Sequence, residues 1–298
     1  MKISILGFGT IGSGVYEIAR ANNIEIARVL DLRDLDVPEL TKNFEDVLKS
    51  DCETVVETMG GEHPAYEFVK QCLESGKNVV TSNKALVAAF GEELIAIAQS
   101  NGVRFLFEAS VGGGIPIIHV ITECLRCDGI TKITGILNGT TNFILKQMDE
   151  KGMTFDEALK LAQELGYAER DPSADIEGWD TCRKTAILGW LISGRMPDYK
   201  SIPTEGITKI TKEDIDRAKA EGKTIKLLGV VEKTADGKLN AYVRPTVIGP
   251  ENELYSVSGV MNAVLVESEY MGKSLYYGPG AGKLPTATAV VADVMRTK

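Results

Sequence analysis

The sequence predicts an α/β protein with a doubly wound parallel sheet, followed by a second domain of the α+β class. In the first third of the chain, short apolar runs alternate with helical patterns, as a parallel sheet with crossover helices requires. Later runs, Asn240 to Ile248 and Ala263 to Glu269, alternate apolar and polar residues between glycine and proline signals, which is typical of strands. The two patterns differ enough to indicate two domains.

The first strand ends in a glycine motif that is typical of dinucleotide-binding proteins. Residues Met1 to Leu6 lead into Gly7, Gly9 and Gly12, spaced G-x-G-x-x-G, and a helical pattern follows at once. Gly7 permits a tight turn, Gly9 lets the backbone approach a pyrophosphate, and Gly12 allows close packing of helix on strand. This order predicts a sheet of the Rossmann type. The expected cofactor contacts are Gly7, Gly9, Thr10, Ile11 and Gly12.

Asp31 and Arg33 follow the predicted second strand and bear on the choice of cofactor. An acidic residue about 20 residues after the glycine motif accepts hydrogen bonds from the adenosine ribose and repels a 2′-phosphate, so Asp31 favours NAD. Arg33 is placed to pair with a 2′-phosphate and favours NADP. We expect NAD to be preferred, and the use of both cofactors remains open.

The next strands and helices place further residues at the same edge of the sheet. Strands are predicted at Thr54 to Thr58, Lys77 to Thr81 and Val103 to Glu108, and helices at Pro64 to Glu74 and from Lys84 through Ala98. Ligands bind beyond the carboxyl ends of parallel strands. The expected cofactor residues there are Gly60, Gly61, Ser82, Asn83 and Lys84, although Lys84 is also compatible with a solvated start of a helix.

Composition excludes several classes of function. The 298 residues carry a net charge of -9 without a basic cluster, which argues against binding of nucleic acid. No apolar run is long enough for a membrane span, and the N-terminus is already a strand rather than a signal sequence. Five cysteines, an odd number, predict free thiols in the cytoplasm. Cys124 and Cys127 have no second pair to complete a zinc site, so we expect buried thiols on a helix.

An acidic loop between two predicted helices carries candidate catalytic residues. A capping box, Thr154 to Glu157, begins the first helix and Gly166 ends it. Asp180 and Lys184 begin the second helix at a spacing of i, i+4, which places them side by side; a surface ion pair is the alternative interpretation. The loop adds four acidic residues, which suit the ammonium of an amino-acid substrate: Glu169, Asp171, Asp175 and Glu177.

A lysine is the remaining candidate for proton transfer, since the only two histidines, His63 and His119, lie outside these motifs. Burial would favour the neutral amine of Lys184, and the adjacent Asp180 would favour its ammonium. The sequence therefore leaves open whether Lys184 acts mainly as a base on an alcohol or as a proton donor to an aldehyde.

Four segments, in the same order, resemble the homoserine dehydrogenase family: Glu108 to Ile118, Gly135 to Leu145, Leu165 to Lys184, and Gly278 to Asp293. The resemblance implies reversible, NAD(P)-dependent interconversion of L-homoserine and L-aspartate 4-semialdehyde, on the branch to threonine and methionine, by a homodimer. It implies that Lys184 is the acid/base, that Lys84 is a second essential lysine, and that Glu169 and Asp180 bind the substrate. We add Tyr167 and Asp175 as substrate-binding candidates, and Gly280 and Gly282 near the cofactor.

The resemblance also implies a monovalent cation, usually sodium. Its expected ligands are the side chain of Glu108 and the carbonyl oxygens of Val111, Gly113 and Ile115, hard oxygen ligands of the kind that such ions prefer. A glycine-rich bend needs no metal, so these residues are also compatible with a purely structural turn.

These placements predict a dinucleotide-binding domain at residues 1–128, completed by a C-terminal helix at 283–298, and a catalytic and dimerisation domain at 129–282. Many members of the family continue into a regulatory domain. Because few residues follow Gly282, we expect no threonine-binding domain in this chain. Two alternative functions stay open: another amino-acid dehydrogenase on the same scaffold, and a sensor that binds dinucleotide without turnover.

Overall fold

A computed structural model describes residues 1–298 as two units, Met1–Pro116 with Ala281–Lys298, and Ile117–Gly280. Two short 3₁₀ turns and a π-helical segment, Val120–Cys124, accompany the regular elements. None of the helices has both the length and the apolar composition that crossing a membrane requires. The strands and helices in chain order are β1 (Lys2–Leu6), α1 (Thr10–Ala21), β2 (Glu25–Leu30), β3 (Leu40–Thr41), α2 (Phe44–Leu48), β4 (Thr54–Glu57), α3 (Ala65–Glu74), β5 (Asn78–Thr81), α4 (Lys84–Ser100), β6 (Phe105–Leu106), α5 (Ile117–His119), β7 (Ile130–Ile136), α6 (Gly139–Lys151), α7 (Phe155–Glu164), α8 (Ser173–Ile176), α9 (Trp179–Ser193), α10 (Lys212–Ala220), β8 (Thr224–Lys233), β9 (Leu239–Ile248), β10 (Met261–Ser268), β11 (Gly272–Pro279) and α11 (Lys283–Arg296).

The first unit contains a six-stranded sheet in the order β3-β2-β1-β4-β5-β6, and all its strand pairs are parallel. The chain moves outward from β1 in one direction and then in the other, which confirms the predicted doubly wound sheet of the Rossmann type. Ile3 and Ile5 of β1 are fully buried with Val15 of α1 and Val290 of α11. Helix α11 therefore completes the core of this unit although it comes last in the chain.

The predicted strand from Val103 to Glu108 is wrong over most of its length. Only Phe105 and Leu106 pair with β5, and a 3₁₀ turn begins at Glu108. The amide of Glu108 donates a 2.8 Å hydrogen bond to the carboxylate of Asp293, so the chain leaves the sheet here and joins α11. The two residues that do pair form the edge strand of the sheet.

The second unit contains a five-stranded antiparallel sheet in the order β11-β10-β7-β8-β9, which confirms the predicted α+β class. Helices α6 and α9 pack on one face, where Ile144, Ala186 and Leu227 are buried together. The capping box at Thr154 is present and begins α7, as predicted. Residues 117–128, which the sequence analysis assigned to the dinucleotide-binding domain, belong to this second unit.

The expected burial of the Cys124 and Cys127 thiols is also wrong, because both residues are exposed. The π-helical segment and the turn after it bury Ile121 and Leu125 instead. The apolar side chains occupy the inner side of this short segment, which leaves the cysteines on the outer side. All five cysteines are free thiols.

Candidate active site

In the first unit, the glycine motif forms a cradle. Its shape depends on glycine having no side chain. A Cβ atom on Gly12 would lie 2.0 Å from the carbonyl oxygen of Gly7, so no other residue fits there. A Cβ atom on Gly9 would meet nothing within 4 Å, which leaves open space beside the backbone. Gly9 is the N-cap of α1 and no side chain caps the helix, so its first N–H groups remain for a ligand. The cradle fits a dinucleotide pyrophosphate.

Asp31 and Arg33 form an ion pair. In the sequence, Asp31 favours NAD and Arg33 favours NADP. Arg33 donates from Nε to Oδ1 of Asp31 at 2.9 Å and from Nη2 to Oδ2 at 2.8 Å. The amide of Phe8 also donates to Asp31, at 2.9 Å, and ties the carboxylate to the glycine motif. The Arg33 guanidinium holds the pKa of the Asp31 carboxyl well below its usual range. Asp31 is therefore a carboxylate whose charge is already partly neutralised by Arg33.

The loops after β4 and β5 are joined by hydrogen bonds. Gly60 and Gly61 have φ angles of +81° and +74°, values that favour glycine. The Asn83 side chain donates to the carbonyl oxygen of Gly61 at 2.6 Å and accepts from the amide of Leu86 at 3.1 Å, which caps α4. Lys84, the first residue of α4, is half-buried, and Ser82 precedes the cap. The buried carboxylate of Glu57 also joins this network, and sequence analysis assigned it no role.

The proposed cation ligands lie in one short segment of the first unit. Glu108 is buried within the 3₁₀ turn, and Gly112 and Gly113 have φ angles of +75° and +55°. The amide of Ile115 donates to the carbonyl oxygen of Gly112, which closes the bend. No group of three or more His, Cys, Asp or Glu side chains has an arrangement that suits a metal ion.

In the second unit, Asp180 and Lys184 form a buried ion pair, so the alternative of a surface pair is wrong. The Lys184 ammonium lies 2.8 Å from Oδ2 of Asp180, and the two side chains are 11% and 5% exposed. Lys184 also donates to the carbonyl oxygen of Leu137 at 2.7 Å. These two contacts use two of the three donors of the ammonium. The third donor has no partner in the protein.

Asn138 organises the carboxylates around this lysine. Its side-chain amide donates to Asp175 at 2.7 Å and to Asp180 at 2.8 Å, while its carbonyl oxygen accepts from the amide of Thr141 and caps α6. One amide group therefore joins two acidic residues and the start of a helix. Sequence analysis missed Asn138 as a site residue, although an asparagine before an apolar helical segment is a recognised N-cap signal.

Tyr167 and Glu169 belong to the exposed loop that follows α7. The Tyr167 ring contacts Phe143 of α6 edge-on, with 5.0 Å between centroids, and its carbonyl oxygen accepts from Thr140. The Glu169 carboxylate is exposed and makes no hydrogen bond or ion pair, so the structure does not join it to the cluster around Asn138. Its charge is unneutralised by the protein.

Gly280 and Gly282 lie on either side of the boundary between the two units. A Cβ atom on Gly280 would lie 1.2 Å from Oδ1 of Asn262, so only glycine fits at the end of the second unit. Gly282 is the N-cap of α11 in the first unit, with a φ angle of +116°.

Comparison with known proteins decides the family. The homoserine dehydrogenase profile matches residues 116–295, and the profile of the homoserine dehydrogenase NAD-binding domain matches residues 7–108. The chain belongs to the homoserine dehydrogenase family. The homoserine dehydrogenase of Bacillus subtilis is 42% identical over 99% of this chain and 72% of its own length.

Solved homoserine dehydrogenases share the fold. The enzyme from Thiobacillus denitrificans has a TM-score of 0.95 and 43% identity, over 100% of this chain and 73% of its own. A hyperthermophilic archaeal homoserine dehydrogenase, in complex with NADPH, has a TM-score of 0.86 and 29% identity over 99% and 97% of the two chains. The resemblance seen in the sequence is confirmed. Members of the family are NAD(P)-dependent oxidoreductases that interconvert L-homoserine and L-aspartate 4-semialdehyde in the threonine and methionine pathway, and this chain has the NAD-binding domain they share.

Proposed function

We propose that this chain interconverts L-homoserine and L-aspartate 4-semialdehyde with Lys184 as the acid/base. The observation that carries the assignment is the buried Lys184 ammonium, held at 2.7 Å by the carbonyl oxygen of Leu137 and at 2.8 Å by Asp180. Two fixed contacts orient the remaining donor, as a positioned proton donor requires. Lys84 is proposed as the second lysine of the site, on the resemblance alone.

Lys184 is proposed to transfer a proton in both directions of the reaction. Its ammonium lies 2.8 Å from Oδ2 of Asp180. In reduction, a hydride is added to the aldehyde carbon and the ammonium gives its proton to the carbonyl oxygen, which becomes the hydroxyl group. In oxidation the neutral amine takes that proton back. Bound NAD(P) supplies or accepts the hydride.

The substrate ammonium is proposed to bind the acidic loop. The Glu169 carboxylate is exposed and has no hydrogen-bond or ion-pair partner in the protein, so an incoming ammonium would be its first. Asp175 and Asp180 add negative charge, already oriented by Asn138. Tyr167, beside Phe143, would line the same loop. These carboxylates suit a substrate that carries an amine next to its reacting alcohol.

The cofactor is proposed to bind the glycine cradle through its pyrophosphate, with the adenosine ribose near Asp31. NAD is the expected preference, because Asp31 remains ionised and accepts hydroxyl hydrogen bonds. Use of NADP as well is proposed from Arg33, whose side chain is 60% exposed and can exchange Asp31 for a 2′-phosphate. Gly60, Gly61, Ser82, Asn83 and Lys84 would hold the nicotinamide end, and Gly280 and Gly282 would lie near the cofactor.

A monovalent cation, a homodimer and a cytoplasmic location complete the proposal. The cation, sodium by resemblance, would take the Glu108 side chain and the carbonyl oxygens of Val111, Gly113 and Ile115. The dimer would form on the sheet face opposite α6 and α9. The cytoplasm is proposed because all five thiols are free.

Strand register supports that sheet face as the subunit contact. Residues directly opposite one another on neighbouring strands point to the same face of the sheet. One such row crosses all five strands: Leu275, Leu265, Thr134, Val230 and Tyr242. A neighbouring row alternates in charge: Lys273, Glu267, Lys132 and Glu232. Thr134, Val230 and Leu265 of the first row are buried within the chain, whereas Leu275 is 43% exposed. A largely apolar row beside alternating charges would be self-complementary, as a two-fold interface requires.

The experiment is a comparison of Lys184→Ala with the wild type, following NAD(P)H at 340 nm in both directions. Loss of a general acid/base lowers turnover by about 10²-fold to 10⁴-fold. NADPH binding, followed by fluorescence, is expected to stay within about threefold. Lys238→Ala, in an exposed turn of the same unit, is the control and is expected to retain wild-type turnover. A Lys184→Ala enzyme with more than about a third of wild-type turnover would exclude this role.

A further inference from the structure

Glu57 is a buried carboxylate for which the reaction described above has no use. It is the last residue of β4, in register between Leu6 of β1 and Thr81 of β5, at the centre of the parallel sheet. Its exposure is 0%, and the other three residues of β4 are Thr54, Val55 and Val56. Burial raises the pKa of the Glu57 carboxyl. A valine or threonine would fill this place without the desolvation cost of a charge, so packing does not explain the residue.

The Glu57 carboxylate accepts hydrogen bonds from both loops at this edge of the sheet. Oε1 accepts from the amide of Met59 at 2.8 Å and, more weakly, from the amide of Gly60 at 3.3 Å. Oε2 accepts from the Thr81 hydroxyl at 2.5 Å. The first contacts fix the loop after β4 and the last fixes the end of β5. One side chain therefore sets the spacing of two loops.

The contacts continue as a closed ring. The Thr81 hydroxyl accepts from the amide of Asn83 at 2.9 Å, and the Asn83 side chain donates to the carbonyl oxygen of Gly61 at 2.6 Å, back in the first loop. The Asn83 side chain also lies 3.5 Å from Glu57 Oε1. Lys84 follows Asn83 as the first residue of α4, so the ring determines where its backbone starts.

We propose that Glu57 is a positioning residue that holds the loops bearing Gly60, Gly61 and Lys84 in the arrangement needed for hydride transfer. The inference rests on the proposed roles of those three residues. Glu57 acts through the loops and touches neither substrate nor cofactor. It makes no hydrogen bond to Gly9, Gly12 or Asp31, which are proposed to hold the pyrophosphate and the adenosine ribose of the cofactor.

The test compares Glu57→Met with Glu57→Gln. Methionine has a similar length but no acceptor, so the amides of Met59 and Gly60 and the Thr81 hydroxyl lose their partner. Glutamine keeps the shape: its oxygen can accept from the two amides, and its NH₂ can donate to Thr81. We expect Glu57→Met to lower kcat/KM for homoserine at least about thirtyfold and Glu57→Gln to stay within about threefold. Glu53→Met, at the exposed residue that precedes β4, is the matched control and is expected to match the wild type.

Ligand binding separates positioning from general loss of structure. ADP-ribose lacks the nicotinamide, so its inhibition constant is expected to change less than about twofold in Glu57→Met, while NADPH binds at least about tenfold more weakly. If ADP-ribose weakens as much as NADPH, the effect is structural and the proposal is wrong. It is also wrong if a folded Glu57→Met enzyme keeps kcat/KM within about twofold of the wild type.

Two other results have their own test. Should Glu57→Met fail to fold, Thr81→Val removes the two hydrogen bonds of the Thr81 hydroxyl, to Glu57 and from the Asn83 amide, and keeps the Glu57 carboxylate. Normal kcat/KM and NADPH affinity in that variant would overturn the proposal. Should the wild type lack turnover with homoserine, the proposed function fails, whereas the NADPH and ADP-ribose titrations still test whether Glu57 positions the loops.

Discussion

Asn138→Asp is expected to destabilise the second unit in a pH-dependent way. Aspartate caps a helix as well as asparagine does, so the bond to the amide of Thr141 survives. The two hydrogen bonds to Asp175 and Asp180 are lost, and a third carboxylate takes the place of the donor. A hydrogen bond to a charged group contributes about 1.5–3 kcal/mol, which limits the loss from two to roughly 6 kcal/mol. Asp175 is only half-buried and gains water in exchange, so we expect about 2–4 kcal/mol at pH 8.

The sign of the pH dependence follows from the three carboxylates. Their mutual repulsion and burial raise the pKa of at least one of them above the unfolded value of about 3.9. Destabilisation is then complete above the folded pKa and is lost as the pH falls through it, because proton uptake removes the repulsion. The deficit in the free energy of unfolding is therefore expected to shrink as the pH is lowered from 8 toward the unfolded pKa of about 3.9.

The assay is urea unfolding followed by tryptophan fluorescence. Both tryptophans of the chain, Trp179 and Trp190, lie on α9, so the signal reports the unit that contains Asn138. Gln163→Glu is the matched control: Gln163 is exposed at the end of α7 in the same unit and donates to the backbone carbonyl oxygen of Glu169 at 3.1 Å, where the change costs less than about 1 kcal/mol. A midpoint equal to that of the wild type at pH 8, or a deficit that does not change with pH, would refute the reasoning.

Three other variants test separate parts of the molecule. Arg33→Ala removes the partner of Asp31 and the proposed partner of a 2′-phosphate. The kcat/KM value is expected to fall at least about tenfold with NADP and to stay within about threefold with NAD. An equal fall with both cofactors would contradict this prediction. Glu169→Ala is expected to raise KM for homoserine at least about tenfold with kcat nearly unchanged, and initial rates showing the reverse would exclude substrate binding by Glu169. Burial lowers the pKa of Lys226 to about 8 from 10.5, so wild-type stability should rise relative to Lys226→Met by up to roughly 3 kcal/mol as the pH increases from 8 to 10.5. Urea midpoints across that range measure the difference, and a constant difference would show that Lys226 titrates normally.

Local signals in the sequence predicted much of the fold. The glycine motif, the capping box at Thr154 and the apolar alternation of β9 and β10 each depend on neighbouring residues, and each is present in the structure. The i, i+4 pairing of Asp180 and Lys184 is equally local and was also predicted. The strand prediction failed where a residue distant in the sequence forms a hydrogen bond. The Asp293 carboxylate accepts from the amide of Glu108, and the expected sixth strand ends early.

The sequence by itself determined the fold class, the family and the catalytic candidates, because glycine spacing, strand alternation and helix caps are properties of short segments. Only the tertiary structure decided which polar residues became buried partners. Asn138 reaches Asp175 and Asp180 across about 40 positions of the chain, and Glu57 reaches Thr81 across 24, counting from their residue numbers. The energy of such contacts comes from the removal of water around groups that the fold brings together, and no local pattern in the sequence records which groups those will be.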